Sequence, residues 1–149
     1  MEKDTITLTW SMVPDGWALC YNDDCPLHRQ CLRCQAAQLA PEELTVTRCI
    51  TPQALKDGQC PHFASAEPVR FARGFKNIYA DVLKRDFTSM RVEITSRLSG
   101  CRLYYDYLNG RRPLSPEQQD MIREVFRARG YDDNVQFESY EDAFQFPWV

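Results

Sequence analysis

Six of the seven cysteines in this chain of 149 residues fall between positions 20 and 60, and this crowding limits how the first half can fold. Clustered thiols form disulfides in oxidising compartments and bind metals in reducing ones. The first ten residues, MEKDTITLTW, lack the apolar core of a signal peptide, and the total of seven cysteines is odd. We therefore expect a cytoplasmic protein whose cysteines ligate a metal.

The spacing of these cysteines favours a zinc site. Only Cys31 and Cys34, with two residues between them, have a finger-like spacing, whereas the other four are further apart. A structural zinc site takes four thiolate or imidazole ligands in a tetrahedron, so some of the thiols must be surplus. The ligands predicted from the residues are Cys20, Cys25, Cys31 and Cys60. The substitutes are Cys34 and His62.

Two alternatives to zinc stay open. An iron–sulfur cluster also takes four cysteines and is often followed by proline, as in Cys25-Pro26 and Cys60-Pro61. The cysteines could also be small buried hydrophobic residues that bind nothing. Packing is the role that we expect for Cys49, in an alternating pattern typical of a strand, and for Cys101, in the helical half.

Charge divides the chain into three segments. Residues 70–130 hold 13 basic and 7 acidic side chains, whereas residues 1–69 hold 5 and 9, and residues 131–149 hold 0 and 5. A middle segment of net charge +6 between two acidic segments indicates an anionic partner, although solvated helical faces would explain it equally well.

Hydrophobic periodicity predicts a mainly α fold with a few short strands. Strands are predicted over residues 6–10 and 44–50, and no stretch is typical of a membrane span. Ser115 and Gln118 form the pattern of a capping box, with Pro116 at the first helical position. The helices predicted are 26–39, 75–83, 87–98, 101–109 and 116–129. We expect a cysteine-rich, metal-bound module (1–69), packed on a four-helix, helix-turn-helix-like module (70–130), and an acidic aromatic tail (131–149) that packs back.

Three segments carry a resemblance to a known family. They are WALCYNDDCPLHRQCLR, GQCPHF and YYDYLNGRRPLSPEQQDMIREVFRARGY. Together they resemble an uncharacterised domain-of-unknown-function family of short cysteine-rich proteins from Bacteroidales-type gut bacteria. The resemblance implies that the recurring cysteines are Cys20, Cys25, Cys31 and Cys60, and that Cys34 and Cys49 are extras. It implies no activity.

The helical half also resembles helix-turn-helix regulators, because two helices flank the Ser99-Gly100 turn. In that interpretation the second helix meets duplex DNA. The predicted nucleic-acid contacts are Arg102, Tyr105 and Asn109 to bases or sugars, and Arg111 and Arg112 to phosphates. A protein-interaction adaptor with a structural zinc site is the alternative. No phosphate loop or nucleophile motif is present, so an enzyme is disfavoured, and a thiol redox protein is its best form.

Overall fold

The computed structural model describes residues 5–148 and divides the chain into two compact units. The first unit runs to Pro68 and includes the segment from Ala143 onward, and the second is Val69–Asp142. The fold is mixed α/β, with four α-helices and one two-stranded antiparallel sheet, where the sequence predicted a mainly α chain. No helix within residues 5–148 has the length and apolarity to cross a membrane.

Regular structure is concentrated in the second unit, and long loops make up most of the first. Two 3-10 turns, Trp10–Met12 and Pro52–Ala54, lie in the first unit. The helices are α1 (Leu32–Leu39), α2 (Lys84–Arg97), α3 (Cys101–Leu108) and α4 (Pro116–Ala128). The strands are β1 (Val69–Arg73) and β2 (Ser139–Ala143), which pair with each other.

The first unit is held by a small apolar core and has little regular structure. Trp17, Leu19 and Leu32 are almost fully buried in it. The strand predicted over residues 6–10 is wrong, as is the strand over 44–50, which contributes only an isolated parallel bridge between Leu19 and Cys49. Alternation correctly marked Ile6 and Leu8 as residues that pack on the core, but a strand also needs a hydrogen-bonded neighbour.

The helix predicted to begin at Pro26 begins at Leu32 instead. The preceding residues form turns, in which Cys25 N–H donates to Asn22 O over 3.2 Å and His28 N–H donates to Cys25 O over 3.1 Å. Cys31 is then held in an antiparallel bridge with Ser65. This tertiary pairing replaces the helical hydrogen bonds that the uninterrupted sequence led us to expect.

The second unit contains α2, α3, α4 and the sheet around a core that includes Phe75, Met90 and Ile122. The capping box at the start of α4 is confirmed: Gln118 N–H donates to Ser115 Oγ over 3.2 Å, and Ser115 N–H donates to Gln118 Oε1 over 2.9 Å. α2 has Leu83 at its N-cap and Asp86 in its first turn, where a carboxylate is favourable.

The predicted helix 75–83 is absent, so the described part of the second unit has three α-helices instead of four. These residues form successive turns, such as Val82 N–H to Tyr79 O over 3.0 Å. Phe75 N–H donates to Leu108 O over 3.2 Å, outside its own segment. Ile78, Tyr79 and Val82 still pack on the core. The apolar spacing therefore identified the buried side chains but not the backbone conformation.

Both strands of the sheet were missed because their sequences, VRFAR and SYEDA, are rich in charge. Pairing aligns these charges: Arg73 Nε lies 2.8 Å from Glu141 Oε1, and the Arg70 guanidinium lies 4.4 Å from the centre of the Tyr140 ring. The expectation that the aromatic tail packs back is confirmed by buried Phe137 in the second unit and by buried Phe144 in the first.

Candidate functional site

Five thiols in the first unit line one narrow cavity of about 20 Å³. All seven cysteines of the chain are free of disulfides. The cysteines that line the cavity are Cys20, Cys25, Cys31, Cys34 and Cys60. His62, Arg33 and apolar side chains such as Ile50 complete its wall. The four predicted ligands and both substitutes therefore lie around the same cavity.

Backbone hydrogen bonds between distant segments hold these cysteines in place. Cys20 follows the bridge to the segment around Cys49, where Ile50 N–H donates to Leu19 O over 2.8 Å. Cys20 N–H donates to Arg33 O over 3.3 Å, which fixes that segment against α1. Cys60 follows a tight hairpin in which Lys56 pairs with Gln59, and Phe63 N–H then donates to Cys60 O over 3.1 Å.

The thiols differ in how far they are shielded from water. Cys25, Cys31 and Cys34 are buried, whereas Cys20 and Cys60 are half-buried. Burial raises the pKa of the Cys34 thiol well above its ordinary value, and the neighbouring Cys31 and Cys20 raise it further. Cys34, which the resemblance marked as an extra, therefore lies inside the cluster next to two predicted ligands.

Arg33 is the residue of this site that the sequence did not single out. Only 2% of its surface is exposed, and its guanidinium lies 4.3 Å from the centre of the Trp17 ring. It donates to three backbone carbonyls, those of His62 at 2.8 Å, Ala18 at 2.6 Å and Pro147 at 2.8 Å. A signal was present in the sequence, because this cation lies between Cys31 and Cys34 at the start of a helix otherwise free of charge.

Three cysteines lie close enough to Arg33 to influence its charge. Burial lowers the pKa of the guanidinium, while Cys31, Cys60 and Cys20 raise it and Arg48 lowers it further. No carboxylate is among these influences. A buried cation without a counter-charge is unfavourable, so thiolate character in the cluster would stabilise Arg33.

The two cysteines expected to pack inside the protein do not. Cys49 and Cys101 are both exposed, so that prediction is wrong. Cys49 lies at the Leu19 bridge, where a single pairing leaves its side chain in water. Cys101 is the first residue of α3, and its side chain is exposed at that end of the helix. Neither thiol lines the cavity.

Within residues 5–148, no group of three or more His, Cys, Asp or Glu side chains already has the arrangement of a metal site. Lining one cavity does not by itself give the geometry of a metal site, because side-chain torsion angles set where each sulfur lies. Bringing four sulfurs to bonding distance of one ion requires rotation of these side chains. The five cysteines nevertheless line one cavity.

Of the residues predicted to contact DNA, Arg102 and Tyr105 lie in α3. The other three, Asn109, Arg111 and Arg112, follow this helix. A turn with Ser99 at φ 68° and Gly100 at φ 109° joins α2 to α3. Arg102, Tyr105 and Asn109 are exposed, as are Arg111 and Arg112. DNA binding stays a prediction.

The two arginines of the predicted phosphate contact differ in their surroundings. Arg111 Nη2 and Nε lie 2.9 and 3.0 Å from Asp106 Oδ1, which neutralises part of its charge. Arg112 lies 5.8 Å from the centre of the Tyr107 ring. Arg112 is therefore the freer of the two to meet a phosphate.

Comparison with known proteins gives one match. A protein-family model, described as a family of unknown function (DUF6078), matches residues 1–146. No curated protein and no solved structure matches the chain. The function must therefore be argued from the residues themselves.

Proposed function

The chain belongs to the DUF6078 family of unknown function, and we propose that its first unit binds one structural zinc ion through the cysteines around the cavity. The ion would join the segment at Cys20 and Cys25, the start of α1 and the hairpin before Cys60. These segments share few backbone hydrogen bonds and only a small apolar core. A structural zinc ion supplies folding free energy in domains of this kind.

Buried Arg33 is the observation that carries this proposal. A zinc ion held by four thiolates has a formal charge of about −2, and one held by three thiolates and a neutral histidine about −1. Either centre supplies the counter-charge that the guanidinium otherwise lacks. With neutral thiols the guanidinium would keep its three carbonyl acceptors but would have no negative charge beside it, which is unfavourable for a buried cation. The residues therefore favour a negatively charged centre over packed, protonated cysteines.

The ligand set that we propose is Cys20, Cys25, Cys31 and Cys60, with Cys34 or His62 as replacement ligands. Cys34 has the strongest claim to replace one of the four, because it is buried beside Cys20 and Cys31. Zinc lowers the pKa of a bound thiol enough to remove its proton, so the raised pKa of free Cys34 does not exclude ligation.

Elemental analysis tests the proposal on the full chain purified without oxygen. We expect about one zinc ion per chain, because one tetrahedral site uses four of the clustered ligands. Cys31→Ser should lose the ion, whereas Cys49→Ser, a matched change at an exposed cysteine outside the cavity, should retain it. Comparison of the zinc content of Cys34→Ser with that of Cys60→Ser then shows whether Cys34 or Cys60 is a ligand.

Two results would reject the zinc proposal. Iron with acid-labile sulfide would support the iron–sulfur alternative. Freshly purified, reduced and folded protein that contains no metal, and takes up none when zinc is added, would leave the cysteines as packing residues. Cobalt substitution adds an independent measurement, because the intensity of thiolate-to-metal charge transfer reports how many sulfurs bind.

A further inference from the structure

The second unit has an aromatic groove between the turns at residues 76–80, α2 and α3. Its volume is about 480 Å³, within the range of roughly 300–1,000 Å³ typical of small-molecule sites. The side chains that line it are Lys76, Asn77, Tyr79, Ala80, Phe87, Arg91, Tyr104, Tyr105 and Leu108. Four of these nine residues are aromatic and two are cationic, and none is acidic.

The rings of the groove form two edge-on pairs. Tyr79 meets Phe87 edge-on, with ring centres 5.0 Å apart, and Tyr104 meets Tyr105 edge-on at 5.4 Å. Tyr104 is buried, whereas Phe87 is 37% exposed and Tyr105 is 46% exposed. Exposed aromatic faces held by neighbouring rings offer a stacking platform to a planar ligand.

Polar groups with capacity to bind an anion lie beside these rings. Tyr79 Oη and Tyr104 Oη are 3.1 Å apart. One phenol donates its hydrogen to the other, so the second phenol keeps a hydrogen that it can donate to a ligand. The Arg91 guanidinium lies 5.8 Å from the centre of the Phe87 ring, and its charge lowers the pKa of both Tyr79 and Tyr104. Burial nevertheless raises the pKa of both phenols, so each remains a neutral hydrogen-bond donor at neutral pH.

The position of the anion can be assigned within the groove. Glu138 accepts a hydrogen bond from the backbone N–H of Lys76 over 3.3 Å, so a carboxylate lies beside this lining residue. A bound anion is therefore favoured at the Arg91 and Tyr104 end, away from Glu138. The ring of the ligand would then extend along Tyr105 and Phe87.

We propose that this groove binds a small planar aromatic molecule that carries a phosphate or carboxylate. The aromatic part stacks on Tyr105 and Phe87, and the anionic group meets Arg91 and the free phenol hydrogen. A nucleoside monophosphate and an aromatic carboxylate share this chemistry. The proposal concerns the second unit alone, so it does not depend on metal binding by the first.

Titration of the isotope-labelled full chain, followed by NMR, tests the groove directly. Adenosine 5′-monophosphate is compared with adenosine, and indole-3-acetate with indole-3-acetamide, so that each pair differs in the anionic group. We expect a saturable shift of the Arg91 and Tyr105 signals with at least one of the anions. The neutral counterpart should bind about tenfold or more weakly, because an ionic hydrogen bond is lost.

Three variants separate the contributions to binding. Arg91→Gln should weaken the anion about tenfold or more, and Tyr105→Ala, at an exposed position, should weaken it about tenfold through lost stacking. Arg85→Gln removes a charge from the same helix outside the groove and should leave affinity unchanged. Variants whose amide spectra retain the dispersion of the parent are folded and can be compared.

Each remaining outcome overturns the proposal. The first is a lack of saturable change up to about 5 mM of any probe, the millimolar limit of specific small-ligand affinity. The second is a set of shifts confined to residues outside the groove. The third is equal loss of binding in Arg91→Gln and Arg85→Gln, which would identify general charge attraction. Binding of the neutral and anionic probes with equal affinity would reject the anion site.

Discussion

Replacing Arg33 tests whether the cysteine centre carries a negative charge. Arg33→Gln removes the cation but keeps a polar side chain that can donate to one of the three carbonyls now bound. Two charged hydrogen bonds are lost, each contributing about 1.5–3 kcal/mol, together with the contact on Trp17. We expect about 3–5 kcal/mol less unfolding free energy, partly offset because a buried charge is removed.

The second effect of Arg33→Gln depends on the metal. Unit charges about 5 Å apart interact by about 3 kcal/mol at an effective dielectric constant of about 20. If this interaction with Arg33 stabilises the zinc-bound protein, removing Arg33 lowers the affinity for zinc by the same free energy. A loss of about 3 kcal/mol corresponds to roughly a hundredfold rise in the zinc dissociation constant.

The assay is competition for zinc against a chromophoric chelator, with Arg33→Lys as the matched control. Lysine keeps the charge but loses the fork of donors, so it should destabilise the fold while retaining most of the zinc affinity. Circular dichroism at the assay temperature establishes that each variant is folded. Equal zinc affinity in the parent and Arg33→Gln, or equal loss in Gln and Lys variants, would refute the charge argument.

Three further predictions concern the second unit. Ser115→Ala should lower the unfolding free energy by about 1 kcal/mol, because α4 loses its N-cap; denaturant titration measures this. Gly74→Ala should cost up to about 1 kcal/mol more than Gly130→Ala in the same titration, because both have positive φ but only the first new Cβ meets a side chain, that of Glu138. If Arg111 and Arg112 contact phosphates, replacing both with Ala should reduce the slope of log affinity against log salt by about two, and no binding at low salt would refute DNA recognition.

Local signals in the sequence predicted α3 and α4 closely. The capping box at Ser115 and the glycines at 100 and 110 act through hydrogen bonds and torsion angles within a few residues. The strands were missed because VRFAR and SYEDA are short and rich in charge, and their pairing depends on a neighbour that is distant in sequence. Periodicity failed at residues 75–83 for a related reason, since Phe75 is bound to Leu108 instead of its own turn.

The candidate cysteines were accessible to sequence reasoning because thiol density is a property of composition. Arg33 between Cys31 and Cys34 was a weak signal, but its burial beside the cluster was not predictable, because it depends on carbonyls from three separate segments. The exposure of Cys49 likewise depends on the segment pairing through one bridge instead of a full strand. Spacing in the sequence identifies the candidate metal ligands, and tertiary contacts decide which of them face one another.

The positive charge of residues 70–130 is largely offset within the second unit. Residues 69–142 hold 13 basic and 12 acidic side chains, a net charge of +1, because acids from the tail belong to the same unit. Two of these acids meet arginines directly: Asp133 lies 2.8 Å from Arg127, and Glu141 lies 2.8 Å from Arg73.

Attraction to a polyanion grows with the number of phosphates that are neutralised, so a nearly neutral unit gives duplex DNA little general affinity. A single anionic group responds instead to the few charges within a Debye length, about 8 Å at physiological salt. Arg91 and Lys76 line a groove with no acidic side chain in its wall. The same distribution of charge therefore favours a small aromatic anion at this groove over a long nucleic acid across the surface.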